Sequence, residues 1–180
     1  MPRVTIIAAA DGSALGNPGP SGWAWYVDES CWAAGGWAHG TNNKGELTAV
    51  LDLLQQTAHL AEDLLVYCDS MYVINSVTKW MHGWKRRGWK KGDGKPVLNV
   101  ELMQALDAAM AGRRVRFEWV KGHSGHPLNE AADRLANAAA ASWKQGAAPH
   151  PGPGFEGAVT DHPVARPAPV YDDADLFSGL

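Results

Sequence analysis

The order of strand-like and helical segments is the feature of this sequence that most constrains its fold. Three runs rich in Trp, Val and small apolar residues come first, at 4–10, 21–28 and 31–39. A helical pattern then begins at Asn42, and helices and strands alternate from there. The later elements are a strand at 64–68, a short helix at 72–77, a helix at 98–110, a strand at 115–120 and a helix at 129–143. This order predicts an α/β domain in which helices flank a five-stranded mixed sheet.

Charge and composition divide the chain into two parts. Residues 1–145 hold 15 Lys or Arg and 14 Asp or Glu, whereas residues 146–180 hold one Arg and five acidic residues. The second part also contains six Pro and five Gly, which predicts a flexible acidic tail rather than a second folded domain. Seven of the sixteen basic residues lie between Lys79 and Lys95, so the nearly neutral domain has one dense basic segment suited to phosphate binding.

Cysteine usage and hydropathy indicate where the protein works. Cys31 and Cys68 lie in apolar runs and lack metal-ligand spacing, which favours free thiols. The sequence does not open with a charged and then apolar leader, and no apolar run reaches the length needed to span a membrane. We therefore expect a soluble protein of the reducing cytoplasm that has no membrane partner.

Two aspartates stand directly after apolar strands. Asp11 follows the run at 4–10, and Asp69 follows the run at 64–68. Ligand sites in α/β sheets gather at the carboxyl ends of strands, so the two carboxylates would converge if these strands are parallel neighbours. The alternative is that each aspartate only caps the turn after its strand.

Two further carboxylates lie close to apolar helix faces. Glu46 precedes Leu47 in the first helix, and Asp133 lies within the Ala-rich last helix. A carboxylate near a buried stripe is costly unless it is paired or binds a cation, although either side chain could simply be solvated at the edge of the stripe. Four converging carboxylates would repel one another, and Mg²⁺ or Mn²⁺ would relieve that repulsion.

The sequence contains the five strings DGSALGNPGPSGWAW, TNNKGEL, YCDSMYV, KWMHGWKRRGWK and VKGHSGHPLNEAAD. In order and spacing, they resemble those of bacterial ribonuclease H of type 1. The resemblance extends from about residue 3 to residue 143. It implies the ribonuclease H-like fold and an endoribonuclease that hydrolyses the RNA strand of RNA–DNA hybrids, leaving 5′-phosphate and 3′-hydroxyl ends.

The resemblance also implies roles for individual residues. Two Mg²⁺ ions, or Mn²⁺, would be held when the hybrid is bound by the catalytic carboxylates Asp11, Glu46, Asp69 and Asp133. His123 would move a proton or assist product release, although a lone loop histidine is more often only solvated. His126 would orient the loop before Pro127.

Positions that resemble the family's substrate contacts form two groups. The first would read sugars, bases and a DNA phosphate, and it consists of Asn17, Thr41, Asn42 and Asn43. Helix capping is the alternative role for Asn42 and Asn43. The second lies on a basic helical protrusion, residues 80–95, and consists of Trp80, Trp84, Lys85, Arg86, Arg87, Lys90 and Lys91. The alternative is a solvated helix whose Trp side chains pack in the core.

Two positions depart from the family pattern. Met71 stands where many relatives carry Gln, so one polar contact to RNA is expected to be absent. Gly83 stands where some relatives carry Asn, which alters part of the expected DNA-phosphate pocket.

Two other functions would suit a similar arrangement. A hybrid-binding module without chemistry would lack a metal carboxylate, and a transposase- or integrase-like strand-transfer enzyme generally acts within a larger assembly. We expect a monomer. In the tail, the segment that begins at Asp173 and ends at Phe177 resembles short peptides that bind sliding clamps, although their usual leading Gln is absent. The alternative is a disposable linker.

Overall fold

The computed structural model of the protein describes residues 4–158. Its five strands are β1 (Thr5–Ala14), β2 (Gly19–Asp28), β3 (Cys31–Gly40), β4 (Asp63–Cys68) and β5 (Val115–Trp119). They form one sheet in the order β3-β2-β1-β4-β5. The first three strands are antiparallel neighbours, whereas β1, β4 and β5 run parallel. The expected five-stranded mixed sheet is therefore confirmed.

Five α-helices accompany the sheet. They are α1 (Asn42–Gln56), α2 (Met71–Asn75), α3 (Met81–Arg86), α4 (Val100–Met110) and α5 (Pro127–Lys144). A π-helical turn, Ser76–Trp80, joins α2 to α3. The Thr41 hydroxyl accepts a hydrogen bond from the Lys44 N–H at 3.2 Å and caps α1. The capping role considered for Asn42 and Asn43 thus belongs to Thr41, because Thr41 is the extended residue immediately before the helix.

Helices α1 and α5 cover opposite faces of the sheet. Successive residues of a strand point to opposite faces, so buried Trp25 joins the core beneath α1 while its neighbour Ala24 packs against α5. A Cβ at Gly22 would lie 2.1 Å from the Ala136 carbonyl oxygen. Helix α5 therefore contacts the backbone of β2 directly, which explains why its inner face is built from alanines.

Strand β1 pairs with β2 further along its length than it pairs with β4. Its pairing with β2 continues to Ala14, but its pairing with β4 ends where Ala9 meets Tyr67. Asp11 therefore lies inside β1 rather than after it, as the sequence had suggested, because the antiparallel ladder with β2 continues past it. The side of β1 that faces β4 is open from this point, and the opening leaves room for a site.

The first residues of the tail pack against the domain. The Pro151 carbonyl accepts a hydrogen bond from the Ala34 N–H at 3.0 Å, and the Gly154 N–H donates to the Trp32 carbonyl at 2.9 Å. Phe155 packs against the core beside α1. The expected free extension therefore does not begin at residue 146, because backbone bonds to the edge strand β3 and one aromatic anchor hold this segment. We call residues 147–158 the C-terminal strap.

The rest of the tail, including the segment from Asp173 to Phe177, lies outside the described residues. Within residues 4–158, none of the helices combines the length and apolar character needed to cross a bilayer.

Candidate metal centre and active site

The carboxylates of Asp11, Glu46 and Asp69 converge at the carboxyl ends of β1 and β4. One oxygen of each lies within 4.8 Å of the others. The register of the strands explains the meeting of the two aspartates, since each stands two residues beyond the paired residues Ala9 and Tyr67. Residues two apart share a face, so both side chains point the same way from adjacent strands. We call these three residues the carboxylate trio.

Two glycines let α1 bring Glu46 to the aspartates. A Cβ at Gly12 would lie 2.4 Å from the Glu46 backbone nitrogen, and a Cβ at Gly45 would lie 2.7 Å from the Gly22 carbonyl oxygen. Any side chain at either position would push the first turn of α1 away from the sheet. The close approach leaves Glu46 only 3% exposed, beside Asp11.

Burial and mutual repulsion raise the pKa of every member of the trio. Burial raises the pKa of Asp11 to about 7, with smaller contributions from the charges of Asp69 and Asp133, although hydrogen bonds to Asp11 oppose the shift. Burial and the nearby Asp11 raise the pKa of Glu46 well above its usual value. Burial raises the pKa of Asp69 as well. Cys68, fully buried beside them, has its thiol pKa raised by burial and by the same three charges.

The trio is suited to divalent cations. The Asp11 Oδ2 and Glu46 Oε2 atoms are buried and have no hydrogen-bond partner among the described residues. Buried carboxylate oxygens without partners are costly unless a cation neutralises them. An all-oxygen donor set that carries several negative charges favours hard ions such as Mg²⁺ or Mn²⁺.

Asp133 lies beside the trio rather than inside it. It is partly exposed on α5 and lines the same open depression of about 300 Å³ as the trio, His123 and Asn137. Its charge raises the pKa of both Asp11 and Asp69. The structure therefore brings all four expected carboxylates to one depression, with three in close contact and the fourth at its rim.

The loop between β5 and α5 places His123 at this depression. His123 has a left-handed backbone with φ of 55°, and its charge lowers the pKa of Asp69 against the effect of burial. His126 caps α5 by accepting a hydrogen bond from the Asn129 N–H at 3.3 Å, and its ring lies 4.5 Å from that of Tyr67. This agrees with the orienting role expected of His126.

Several residues that shape the site were not predicted from the sequence. A Cβ at Gly122 would lie 2.9 Å from the Asp69 carboxylate, so that loop needs glycine there. Asn129 is buried, and its side chain forms a hydrogen bond to Asp69 that partly offsets the raised pKa. The spacing of Asn129, Asp133 and Asn137 at four-residue intervals is the signal that could have placed them on one helix face.

The first group of expected substrate contacts lies around the start of α1. The Asn17 side-chain oxygen accepts a hydrogen bond from the Asn42 N–H at 3.1 Å, which ties the first loop to the helix. Asn42 also lines the depression, whereas Thr41 caps the helix. Asn43 is partly exposed in the same turn.

The basic protrusion has a packed base and an exposed cationic surface. Trp84 and Trp89 pack against the core, while Trp80 is 43% exposed. The exposed cations of residues 79–95, the protrusion and the residue before it, are Lys79, Lys85, Arg86, Arg87, Lys90, Lys91 and Lys95. Two Trp side chains therefore anchor the segment and its Lys and Arg residues face solvent, while their binding of the hybrid stays a prediction.

Some contacts within the protrusion already engage its cations. Lys85 pairs with Asp107 at 3.1 Å, and the Arg87 Nε donates to the Lys90 carbonyl at 3.2 Å. A Cβ at Gly83 would approach the Arg87 guanidinium to 3.2 Å, so glycine there leaves room for Arg87. Met71, the other departure from the family pattern, is 47% exposed at the start of α2.

Comparisons with known proteins agree on one family. A family model described as RNase H matches residues 3–141. The Ribonuclease H of Tropheryma whipplei (strain Twist) is 58% identical over 155 residues, which cover 86% of this chain and 96% of that protein. The Ribonuclease H of Paracoccus denitrificans (strain Pd 1222) is 46% identical over 147 residues, which cover 77% and 94%. The crystal structure of LC9-RNase H1 shares 28% identity and a TM-score of 0.67, covering 82% of this chain and 78% of that one.

These matches place the architecture among ribonuclease H-like folds. The chain belongs to the RNase H family. The match to the Tropheryma whipplei protein spans 155 residues, so it reaches at least ten residues past position 145 and into the C-terminal strap. The resemblance therefore extends further than the motifs alone indicated.

Proposed function

We propose that this protein is an endoribonuclease that hydrolyses the RNA strand of RNA–DNA hybrids and leaves 5′-phosphate and 3′-hydroxyl ends. The observation that carries the proposal is the carboxylate trio, whose oxygens lie within 4.8 Å of one another at the open end of β1 and β4. Family membership and relatives named Ribonuclease H support the same reaction.

Asp11, Glu46 and Asp69, with Asp133 at the rim, would hold two Mg²⁺ ions. Such ions activate a water and stabilise the charge that develops on the leaving 3′ oxygen. The protein's part is to fix the three carboxylates of the trio by strand register and by the glycine contacts beneath α1. Mn²⁺ would suit the same oxygen ligands.

His123 is proposed to move a proton during the reaction or product release. It lies in a glycine-bounded loop that lines the depression, and its charge acts on Asp69. Because His123 is not one of the carboxylates that would hold the metal ions, its replacement should slow the reaction less than replacement of a carboxylate would.

We further propose that the hybrid binds across the depression and the basic protrusion. Asn17, Asn42 and Asn43 would read the 2′-hydroxyl and adjacent bases, and the N-terminus of α1 at Thr41 would meet a DNA phosphate. Exposed Trp80 would contact deoxyribose. The cations Lys85, Arg86, Arg87, Lys90 and Lys91 and the half-buried Trp84 would shape the DNA-strand surface.

Cleavage of labelled substrates tests the proposed reaction. We expect Mg²⁺-dependent loss of only the RNA of an RNA–DNA hybrid, with duplex DNA and duplex RNA left intact. Asp69→Asn should reduce the rate by about 10²- to 10³-fold, since loss of one group that stabilises developing charge in an enzyme costs about that much. Asp28→Asn, which changes an exposed carboxylate outside the depression, is the matched control.

Other outcomes would favour the alternatives. Tight hybrid binding without cleavage under any divalent ion would identify a binding module. Joining of DNA ends would identify a strand-transfer enzyme. Full cleavage by the Asp69→Asn variant would refute the proposed metal site.

Three finer proposals concern the assembly, the compartment and the tail. The protein is proposed to act as a monomer in the cytoplasm, which sedimentation and cell fractionation would test. The segment from Asp173 to Phe177 is proposed to dock on a sliding clamp, because a Leu-Phe pair behind acidic residues suits an apolar groove. If a chain ended at residue 158 bound the clamp as well as the full chain, the docking proposal would fail.

A further inference from the structure

Asp133 is held by a chain of two hydrogen bonds that starts on β1. The Ser13 hydroxyl donates to the Asn137 Oδ1 at 2.5 Å, and the Asn137 Nδ2 donates to the Asp133 Oδ2 at 3.2 Å. Asn137 also lines the depression together with Ser13 and Asp133. We call Ser13, Asn137 and Asp133 the relay.

The charge of Asp133 fixes the direction of the relay. An ionised carboxylate can only accept hydrogen bonds, so the amide NH₂ of Asn137 must face Asp133. The amide oxygen then faces Ser13, which must donate its hydroxyl proton. Each group of the relay therefore has one allowed orientation, and the Asn137 side chain is held at both ends.

The relay also ties together two elements that carry the expected metal ligands. Ser13 lies two residues beyond Asp11 on β1, so both side chains leave the same face of the strand. Asn137 lies one helical turn beyond Asp133 on α5. The hydrogen bond between Ser13 and Asn137 thus joins β1 to α5 next to Asp11 and Asp133.

Asp133 needs such support more than the members of the trio do. The trio is fixed by strand register and close glycine contacts, whereas Asp133 lies on α5, has neither support, and lies outside the 4.8 Å group. Without a partner, its carboxylate would be free to rotate toward solvent. A partner that orients a ligand ordinarily strengthens metal binding by roughly 10- to 100-fold.

We propose that Ser13 and Asn137 are positioning residues that orient the Asp133 carboxylate for metal binding beside the carboxylate trio. This inference rests on the proposed function, since it assigns a task within the same metal site. It predicts that loss of the relay weakens the response to metal while binding of the hybrid is retained.

Two relay variants and two controls test the proposal. Asn137→Leu removes both hydrogen bonds at nearly constant volume, and Ser13→Ala removes the far end. As controls, Ser13→Thr retains the hydroxyl, and Gln145→Ala changes an amide at the C-terminal end of α5, outside the depression. The measurements are the Mg²⁺ concentration for half-maximal cleavage, the thermal shift of the protein on addition of Mn²⁺ without substrate, and the Kd for hybrid in Ca²⁺.

Asn137→Leu should raise the half-maximal Mg²⁺ concentration by about tenfold and reduce the Mn²⁺-induced thermal shift, with hybrid Kd within about twofold of the parent. Ser13→Ala should have a smaller effect in the same direction. Ser13→Thr and Gln145→Ala should both keep the parent response. Because both relay variants act through one carboxylate, neither should weaken the Mn²⁺ response further once Asp133→Asn is present.

Unchanged Mg²⁺ and Mn²⁺ responses in Asn137→Leu would overturn the inference. The inference would also be overturned if Asn137→Leu reduced the Mn²⁺-induced thermal shift equally in the parent and in the Asp133→Asn variant. These outcomes are distinct from failure of the proposed function, which would appear as a parent protein that does not cleave the hybrid. Asn137 is exposed, so its replacement should leave the melting temperature without metal close to that of the parent.

Discussion

Two of the residues that define the site are costly to bury. Asp11 and Glu46 are 2% and 3% exposed, and each has a buried carboxylate oxygen without a hydrogen-bond partner among the described residues. Their burial opposes ionisation, and the nearby carboxylates add to the cost. The metal-free protein therefore gives up folding free energy at the place where cations are expected to bind.

The cost of burying an ionised Asp11 predicts that the free energy of unfolding of the metal-free protein falls as pH rises. The pKa of Asp11 is about 7 in the folded protein, against an ordinary value of 3.8 that applies to the unfolded chain, so the folded state retains a proton that the unfolded state releases. The contribution of this retained proton to the free energy of unfolding is complete below pH 4 and is lost as pH rises through 7. The expected loss is at most about 4 kcal/mol. Denaturant unfolding in chelator at pH 5 and pH 8 measures it.

Asp11→Asn should flatten this dependence and make the metal-free protein more stable than the parent at pH 8. Asp28→Asn, an exposed change, should retain the parent's slope. Addition of Mg²⁺ at pH 8 should stabilise the parent more than Asp11→Asn. If the free energy of unfolding of the parent and of Asp11→Asn depended on pH in the same way, the Asp11 carboxylate would not be the source of the pH dependence.

At the scale of single residues, the carboxylates were easier to predict from the sequence than the residues that support them. Asp11 and Asp69 stand beside apolar strands, where the convergence of parallel strands makes a site predictable. The close approaches at Gly12 and Gly45 could not be predicted, since they depend on where α1 crosses the sheet. The role of Asn137 depends on a partner 124 residues away in sequence.

Among the elements, the C-terminal strap differs most from what its composition suggests. It bonds to the backbone of β3 through Pro151 and Gly154, and the Phe155 N–H donates to the Gln56 side chain at 2.8 Å. Gln56 in turn donates to buried Asp52, which also accepts the Trp25 indole N–H. The strap thereby connects the edge strand, α1 and the core.

The strap is predicted to stabilise the domain. Phe155→Ala should lower the free energy of unfolding by about 1–2 kcal/mol, less than a fully buried Phe would cost, because the ring retains some exposure. A chain ended at residue 146 should be destabilised more, since it also lacks the bonds to β3. Thermal unfolding compares both with a chain ended at residue 158, which keeps the whole strap. Equal stability of the two shortened chains would contradict this role.

The elements themselves were largely predictable because their hydrophobic periodicity reflects which face is buried. The Trp-rich apolar run at 31–39 and the helical spacing after Asn42 correspond to β3 and α1. The strap has no such periodicity, because a few specific hydrogen bonds and one aromatic ring hold it. Composition therefore predicted it poorly.

Across residues 4–158, the site carboxylates and the dense basic segment occupy separate regions. The carboxylates gather in the depression, whereas seven exposed cations occupy residues 79–95. A hybrid carries negative charge along both strands, so the basic protrusion should supply much of the binding free energy. The carboxylate trio would repel the same phosphates unless cations were present.

This separation predicts how binding depends on salt. Replacing Lys90 and Lys91 together with Ala should weaken hybrid binding and reduce the slope of log K against log salt by about one for each phosphate that is no longer neutralised. Lys144→Ala, an exposed cation at the end of α5, is the matched control. Affinity measured in Ca²⁺ over a range of salt concentrations gives the slopes. An unchanged slope in the double variant would place the phosphate-binding surface elsewhere.

The position of Cys68 has a consequence for the protein's chemical durability. The thiol is completely buried behind three carboxylates, and burial likewise raises the pKa of Cys31 to about 11. Only the thiolate reacts readily with peroxide or alkylating agents, so both sulfurs should remain unreactive at neutral pH. The same negative charges that attract metal thus shield the neighbouring sulfur from oxidants.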